Sequence, residues 1–277
     1  CFTLKVFSAP DQFEVGPSRQ MYDKIDYPYN IKRPGRLMVL SNIETELKYL
    51  LNREDFHSLY HHLHSTKNIS LIRQVNYYFA SPDSPLTRNP INIRIRFLRE
   101  KSELTCKIPI ADQTTDVLHS SYEYNRQISR KEALNFIENG LSAKAQTEYF
   151  PEMRKNHSLQ PSDLICYGHL RTARFPFPIK DGFPPMLLDV NAYLGTFDYE
   201  LEWELDPIQN QSQQNQLQQA DIFLKKLFQK LQLSPVGSLK PKRVRFLERL
   251  SRYKTVKTIQ ELPEVSISPQ DAPGKCN

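Results

Sequence analysis

Glycine is scarce in this chain, which has only 8 glycines among 277 residues. Neither a GxxxxGK[ST] nor a GxGxxG pattern occurs, so the sequence excludes the glycine-rich loops that hold phosphate groups through backbone N–H donors. If the protein binds phosphate, charged side chains must supply the contacts.

Cysteine and long apolar runs are also in short supply. Cys1, Cys106, Cys166 and Cys276 lie far apart and show no metal-ligand spacing, so we expect reduced thiols and a cytoplasmic location. No apolar run approaches the roughly 20 residues of a membrane helix, and no secretory signal is visible, so we expect no membrane partner. The net charge of +6 favours anionic partners without naming one.

The length suits one large domain or two small ones. Residues 1–37 contain several prolines and no sustained period, and we expect them to form an N-terminal extension. Because the first residue is Cys, we interpret the chain as a fragment or processed form, with Met38 a candidate original start. We predict the main domain at residues 38–253 and a C-terminal tail at 254–277.

What the sequence does have is alternation, most clearly in residues 186–205, MLLDVNAYLGTFDYELEWEL. A period of two places successive side chains on opposite faces of a strand. The second half of this stretch, residues 198–205, alternates strictly and is predicted as a strand. One of its faces is apolar and the other is acidic, the acidic residues being Asp198, Glu200, Glu202 and Glu204. For this strand alone, the ordinary interpretation is a half-buried sheet with its acidic face in water.

Three further stretches, 42–51, 91–98 and 103–108, repeat the pattern. Their charged residues share one parity within each strand: Glu44, Glu46 and Lys48; Arg94 and Arg96; Glu103 and Lys107. We predict other strands at 70–80, 122–128, 164–175 and 186–193. We predict helices at 53–66, 130–139 and 221–232, a Gln/Asn-rich solvated lead-in at 207–220, and a basic cluster at 239–250.

The helices decide where the charged strand faces point. They have apolar stripes and need a surface to cover. If they cover the apolar faces of the strands, the charged faces must turn inward, which requires a closed antiparallel β-barrel with a polar lumen. We therefore predict an α+β fold in which a charged tunnel is surrounded by helices. Basic residues inside it would bind a highly charged anion, and carboxylates would hold divalent cations.

The motifs in this order resemble those of the CYTH proteins, also called triphosphate tunnel metalloenzymes. The resemblance covers about residues 42–250. Its elements are ExExK at Glu44, Glu46 and Lys48; the Tyr-Phe segment at Tyr77, Tyr78 and Phe79; RxR at Arg94 and Arg96; TxK at Thr105 and Lys107; ExE at Glu200 and Glu202, with Asp189 on the preceding strand; and KxKxxR at Lys240, Lys242 and Arg245.

The resemblance implies a tunnel that binds the triphosphate part of a substrate with Mg²⁺ or Mn²⁺. It implies catalytic roles for Glu44, Glu46, Lys48 and Lys107, and metal ligation by Glu44, Glu46, Asp189, Glu200 and Glu202. The implied substrate-binding residues are Lys48, Arg94, Arg96, Lys107, Arg126, Arg171, Arg174, Lys240, Lys242 and Arg245. The region of Arg171 and Arg174 matches loosely, with a slight preference for Arg171. Pro241 departs from the family pattern, so the separate roles of Lys240 and Lys242 are left open.

We therefore expect a metal-dependent triphosphatase acting on inorganic triphosphate, a nucleoside triphosphate or thiamine triphosphate. The alternatives are an adenylyl cyclase on the same scaffold, a non-catalytic binder of polyphosphate or RNA ends, and an RNA 5′-triphosphatase. The expected partner is a small triphosphate rather than a nucleic acid, and a homodimer is left open.

Overall fold

The computed structural model describes residues 43–64, 69–82, 91–110, 115–179, 181–205, 211–237 and 240–252. The predicted extension at 1–37 and tail at 254–277 lie outside these ranges and stay predictions. The strands are β1 (Ile43–Leu51), β2 (Ile72–Ala80), β3 (Asn92–Leu98), β4 (Lys101–Pro109), β5 (Leu118–Ile128), β6 (Ile165–Phe177), β7 (Met186–Tyr193), β8 (Thr196–Leu205) and β9 (Val236–Gly237). The helices are α1 (Arg53–His64), α2 (Arg130–Asn139), α3 (Ala143–Tyr149), α4 (Pro151–His157), α5 (Gln211–Leu231) and α6 (Lys242–Ser251).

The sheet closes on itself. Its antiparallel order is β5-β4-β3-β2-β6-β7-β8-β1, and β1 pairs with β5 as well as with β8. The short β9 continues the sheet beside β1, at Tyr49 and Leu50, where β5 no longer pairs. The predicted closed antiparallel barrel with external helices is therefore confirmed.

Apolar residues lie on the outer face of the barrel and pack under the helices. On one side, Leu47, Tyr49 and Leu51 of β1 join Leu201 and Trp203 of β8 in a core that α1 and α5 cover. On the other side, the cluster under α2, α3 and α4 contains Ile93, Ile95, Leu104, Cys106, Tyr124 and Leu141. The opposite parity of each strand must then face the lumen. Helix packing on the outside is thus what turns the charged faces inward.

The helices differ from the sequence-based expectation in two places. Helix α5 begins at Gln211, within the stretch predicted as a solvated lead-in, because glutamine is a good helix former and adds no strain to the first turns. Helices α3 and α4 occupy part of residues 141–163, a stretch that is less regular in sequence and for which we predicted neither a helix nor a strand. They are only seven residues each, too short to give a periodic apolar pattern.

Helix α6 lies across one end of the barrel. Its Phe246 and Leu247 are buried against Tyr78 of β2, Leu170 of β6 and Tyr193 of β7. The ring centroids of Tyr78 and Phe246 are 5.7 Å apart. The charged first half of the helix therefore sits at the mouth of the lumen.

Among the described helices, none combines the length and the apolar character that crossing a bilayer would require.

Gly140 ends α2 with φ 84° and ψ 175°, a conformation that side chains rarely adopt. A Cβ at this position would lie 2.5 Å from the backbone oxygen of Leu164, which also bonds to the amide of Leu141. We predict that Gly140→Ala lowers the free energy of unfolding by about 3 kcal/mol, because it combines backbone strain with loss of this bridge.

Gly182→Ala is the matched control. Gly182 also has a positive φ, of 81°, but no atom lies within 4 Å of the added Cβ. It should cost only about 1 kcal/mol, from backbone strain alone. Urea denaturation of both variants measures the difference. Equal losses would show that the contact with Leu164 does not hold α2 in place.

Candidate functional site

The acidic wall of the lumen is formed by β7 and β8. Asp189 and Glu200 are fully buried, and Glu202 is 5% exposed. Strand pairing places Asp189 opposite Glu200, and Asn191 opposite Asp198. Burying carboxylates in this way is costly unless each is paired or hydrogen-bonded.

Two cations from the barrel wall meet these carboxylates. Arg174 of β6 holds Asp189 with two hydrogen bonds, of 2.8 Å from Nε and 2.7 Å from Nη2, and also pairs with Glu202. Lys48 of β1 lies 2.6 Å from Glu46 and 3.2 Å from Glu202. Although burial raises it, the pKa of Glu202 is held well below its usual value by Lys242, Lys48 and Arg174.

Two more cations enter from α6. Lys242 pairs with Asp189 and lies 3.2 Å from Glu200 and 3.1 Å from Glu202. Arg245 pairs with Asp198 at 2.9 Å and Glu200 at 3.0 Å. Helix α6 is therefore fastened to the barrel by charge as well as by its apolar residues.

The opposite wall of the lumen, from β3, β4 and β5, is arranged differently. Lys107 pairs with Glu44 and lies 2.9 Å from Glu123, while Arg94 lies 3.6 Å from Glu123. Burial and the neighbouring Glu123 raise the pKa of Glu44 well above its usual value. Burial also opposes ionisation of Glu123, but Lys107 and then Arg94 hold its pKa well below its usual value.

Arg96 carries the least compensated charge of this wall. Its Nε donates to the amide oxygen of Asn76 at 3.0 Å, and it makes no ion pair with any carboxylate of the described residues. Burial, followed by repulsion from Arg94 and Arg174, lowers its pKa to about 10. The Nε of Arg94 is buried and meets no acceptor in the described part of the chain. These guanidinium groups offer donors and positive charge to an anion.

The inward-facing carboxylates outnumber the inward-facing cations in the described residues. The carboxylates are Glu44, Glu46, Glu103, Glu123, Asp189, Asp198, Glu200, Glu202 and Glu204; the cations are Lys48, Arg94, Arg96, Lys107, Arg174, Lys242 and Arg245. A phosphate chain would add negative charge beside these carboxylates, and a divalent cation would offset the repulsion between them.

The donor set fits a hard divalent cation. The described ranges contain no group of three or more His, Cys, Asp or Glu side chains arranged to hold a metal ion, because the carboxylates turn toward lysine and arginine. Yet oxygen ligands are what Mg²⁺ and Mn²⁺ prefer. Like charges also face each other: Glu46 lies opposite Glu204, whose pKa is raised by burial and in part by Glu46, although Arg174 and Lys107 oppose the rise.

Most predicted site residues lie in the lumen. They are Glu44, Glu46, Lys48, Arg94, Arg96, Lys107, Arg174, Asp189, Glu200, Glu202, Lys242 and Arg245. Three predicted substrate-binding residues, Arg126, Arg171 and Lys240, lie outside the lumen.

Strand parity explains why Arg126 and Arg171 lie outside the lumen. Arg126 has the opposite parity to Glu123, so it lies on the outer face, where it pairs with Glu152 and donates to the backbone oxygen of Tyr149 at 3.0 Å. Arg171 has the opposite parity to Arg174 and lies on the outer face near His169. There, burial and then the charge of Arg171 lower the pKa of His169 to about 4.

Helix geometry explains Lys240. It precedes α6, its side chain is 57% exposed, and it pairs with Glu248 at 2.7 Å. Lys242, at the first position of the helix, enters the lumen instead. Of the two lysines whose roles were left open, Lys242 is thus the one that meets the buried carboxylates.

Sequence reasoning also missed residues of the lumen. Glu123 was not among the predicted site residues, although it is the shared partner of Lys107 and Arg94. Asn76 holds Arg96, and Asn191 donates to Asp198 at 2.8 Å and Glu200 at 3.1 Å. Strand alternation alone could have found Glu123, since it has the parity of Ser121 and Asn125 rather than of the outer-face tyrosines.

Comparisons with known proteins agree with this geometry. The family model of the CYTH domain matches residues 42–232, which confirms the resemblance identified from the motifs. No curated protein matches the sequence.

Two solved structures are similar to the chain. One is a candidate adenylyl cyclase from Hippeastrum, described as having a dominant triphosphatase activity. It has 18% identity and a TM-score of 0.60, with 74% of this chain and 95% of that chain covered. The other is a candidate adenylate cyclase from Bacillus halodurans, with 26% identity and a TM-score of 0.54, covering 73% of this chain and 96% of that one.

The site predicts that two buried arginines affect stability with opposite signs. Arg96→Met removes a buried charge that has no carboxylate partner, so we expect the free energy of unfolding to rise by about 1 kcal/mol. Arg174→Met removes the two-pronged partner of Asp189 and one of the three cations beside Glu202, so we expect a loss of about 3 kcal/mol.

Urea denaturation at low ionic strength, without divalent cations or phosphate, measures both effects. The two variants make the same chemical change and serve as controls for each other. A loss of stability in Arg96→Met as large as that in Arg174→Met would show that Arg96 is already compensated in the free protein.

Proposed function

The chain belongs to the CYTH domain family, and from this we propose that it is a metal-dependent triphosphatase that hydrolyses a small triphosphate in the lumen of the barrel. Family and fold support an enzyme of the phosphoryl-transfer or hydrolase kind. The observation that carries the finer proposal is the pairing of undercompensated arginines on one wall with surplus carboxylates on the other. Such a lumen suits a polyanion and divalent cations together, and neither one alone.

The arginines and lysines of the barrel wall would bind the phosphate chain. Arg94 and Arg96 share one face of β3 with one residue between them, which places them about 7 Å apart along the strand. Arg174, on β6, lies close enough to these arginines for its charge to lower the pKa of Arg96. Planar guanidinium groups bind phosphate oxygens through two donors at once, whereas Lys48 and Lys107 act as point charges.

The carboxylates proposed to hold Mg²⁺ or Mn²⁺ are Glu44, Glu46, Asp189, Glu200 and Glu202. When bound, the metal would neutralise phosphate charge and make water a better nucleophile. Phosphoryl transfer depends on positioning and charge stabilisation more than on covalent chemistry. Arginine and lysine donors fixed on a rigid barrel supply that stabilisation without reorganising.

We predict that the protein releases inorganic phosphate from at least one of inorganic triphosphate, ATP and thiamine triphosphate when Mg²⁺ or Mn²⁺ is present. Excess chelator should abolish the release, and added metal should restore it, because the acidic lumen repels a bare phosphate chain. Glu202→Gln should reduce turnover by about 100-fold or more, as expected when a charged group of the site is lost.

Glu248→Gln is the control, since Glu248 pairs only with the exposed Lys240 among the ion pairs of the described residues. It should turn over at the parent rate. Undiminished turnover in chelator, or an active Glu202→Gln variant, would contradict the proposal. Chromatography of the ATP products separates the alternative, since cyclic AMP as the main product would make the protein an adenylyl cyclase.

A further inference from the structure

Lys242 occupies the centre of the acidic wall. Its Nζ contacts three buried carboxylates at once, those of Asp189, Glu200 and Glu202. All three are among the proposed metal ligands. A lysine ammonium is a compact point charge, and here it sits where a divalent cation would need to approach the same oxygens.

The place of Lys242 in the fold distinguishes it from Lys48, which also contacts Glu202. Lys48 belongs to β1, whose backbone is bonded into the barrel wall, with the Lys48 amide donating to Val117 at 2.8 Å. Lys242 is the first residue of α6, a helix that lies across one end of the barrel and contributes no strand to it. A shift of the first turn of α6 would move Lys242 away from the carboxylates without breaking a sheet hydrogen bond.

The first turn of α6 lacks the usual stabilisation of a helix N-terminus. Its N-cap is Pro241, which provides no side-chain cap, and the turn contains no acidic residue. Instead it carries Lys242, Arg243 and Arg245, although the N-terminus of a helix favours negative charge. The barrel carboxylates supply that negative charge in the free protein. Once a metal binds them, an incoming phosphate chain can supply it instead.

We propose that Lys242 is an internal competitor for the metal: it holds Asp189, Glu200 and Glu202 until a divalent cation takes them, and it then passes to the phosphate chain. This inference rests on the proposed function and adds a coupling between its two ligands. Metal alone must displace Lys242 and binds weakly. Metal with triphosphate binds more tightly, because the displaced ammonium gains a new partner.

The test is Mn²⁺ binding to the protein without substrate, measured by calorimetry for the parent, Lys242→Met and Lys240→Met. Lys242→Met should bind Mn²⁺ about tenfold more tightly or better, since close buried charge pairs are coupled by at least this much. Lys240→Met should match the parent, because Lys240 is exposed and pairs with Glu248. Equal affinity in Lys242→Met and the parent would overturn the inference.

A second measurement uses the unchanged protein, in case the lumen of Lys242→Met is too acidic to fold without metal. Amine labelling followed by mass spectrometry compares Lys242, whose side chain is 11% exposed, with Lys240 as the internal reference. Mn²⁺ should increase labelling of Lys242 several-fold relative to Lys240, and inorganic triphosphate added with Mn²⁺ should reverse the increase. Unchanged labelling of Lys242 on adding Mn²⁺ would overturn the inference.

These experiments separate the two claims. Tighter Mn²⁺ binding by Lys242→Met, in a protein that hydrolyses no triphosphate, would support the competition and overturn the proposed hydrolysis. No Mn²⁺ binding by any variant would overturn both.

Discussion

Buried charge that cannot be fully paired from within is the constraint on which this structure depends. Helices α1 to α5 cover the apolar faces of the strands against which they pack, so the charged faces of those strands must point into the lumen. Inside, desolvation penalises every unpaired ion. Ion pairs between neighbouring strands, and between the strands and α6, reduce this penalty. An excess of carboxylates nevertheless remains on one wall of the lumen, and an undercompensated arginine remains on the other.

This imbalance connects the fold to its proposed chemistry. A rigid barrel can hold Arg96 near Arg94 and Arg174 despite their mutual repulsion, because the backbone of β3 fixes Arg94 and Arg96 and that of β6 fixes Arg174. Stability given up in this way is typical of functional sites, where preorganised charge is ready for a ligand. Helix α6 extends the same logic, since its cations neutralise the acidic wall from an element that contributes no strand to the sheet.

Much of the fold and of the lumen could be predicted from the sequence, because alternation links local pattern to global position. Once the apolar parity of β1, β3, β4 and β8 is buried under helices, the parity of Glu44, Arg94, Lys107 and Glu200 follows. Alternation does not show which charged residue faces the lumen where both parities of a strand carry charge. On β6, Arg171 and Arg174 cannot face the same way, and only pairing with β7, which places Arg174 opposite Asp189, decides between them.

The remaining errors have the same origin in long-range structure. The register of β2 with β6 shifts between Tyr78 and Phe79, and no local sequence pattern predicts this shift. The choice between Lys240 and Lys242 depends on where α6 begins and how it crosses the barrel mouth. Alternation could have placed Glu123 in the lumen, but its pairing with Lys107 depends on the register of β4 with β5. In each case the residue type was visible in the sequence, but its neighbours were not.

The central claim is that a divalent cation in the lumen greatly strengthens the binding of a phosphate chain there. The most direct measurement is calorimetric binding of a non-hydrolysable imido analogue of triphosphate, in excess chelator and in saturating Mn²⁺. The charge excess predicts binding about 100-fold or more tighter with Mn²⁺, the equivalent of two or more neutralised close charge contacts. Equal affinity under the two conditions would show that the cations of the lumen suffice by themselves, and it would contradict the account.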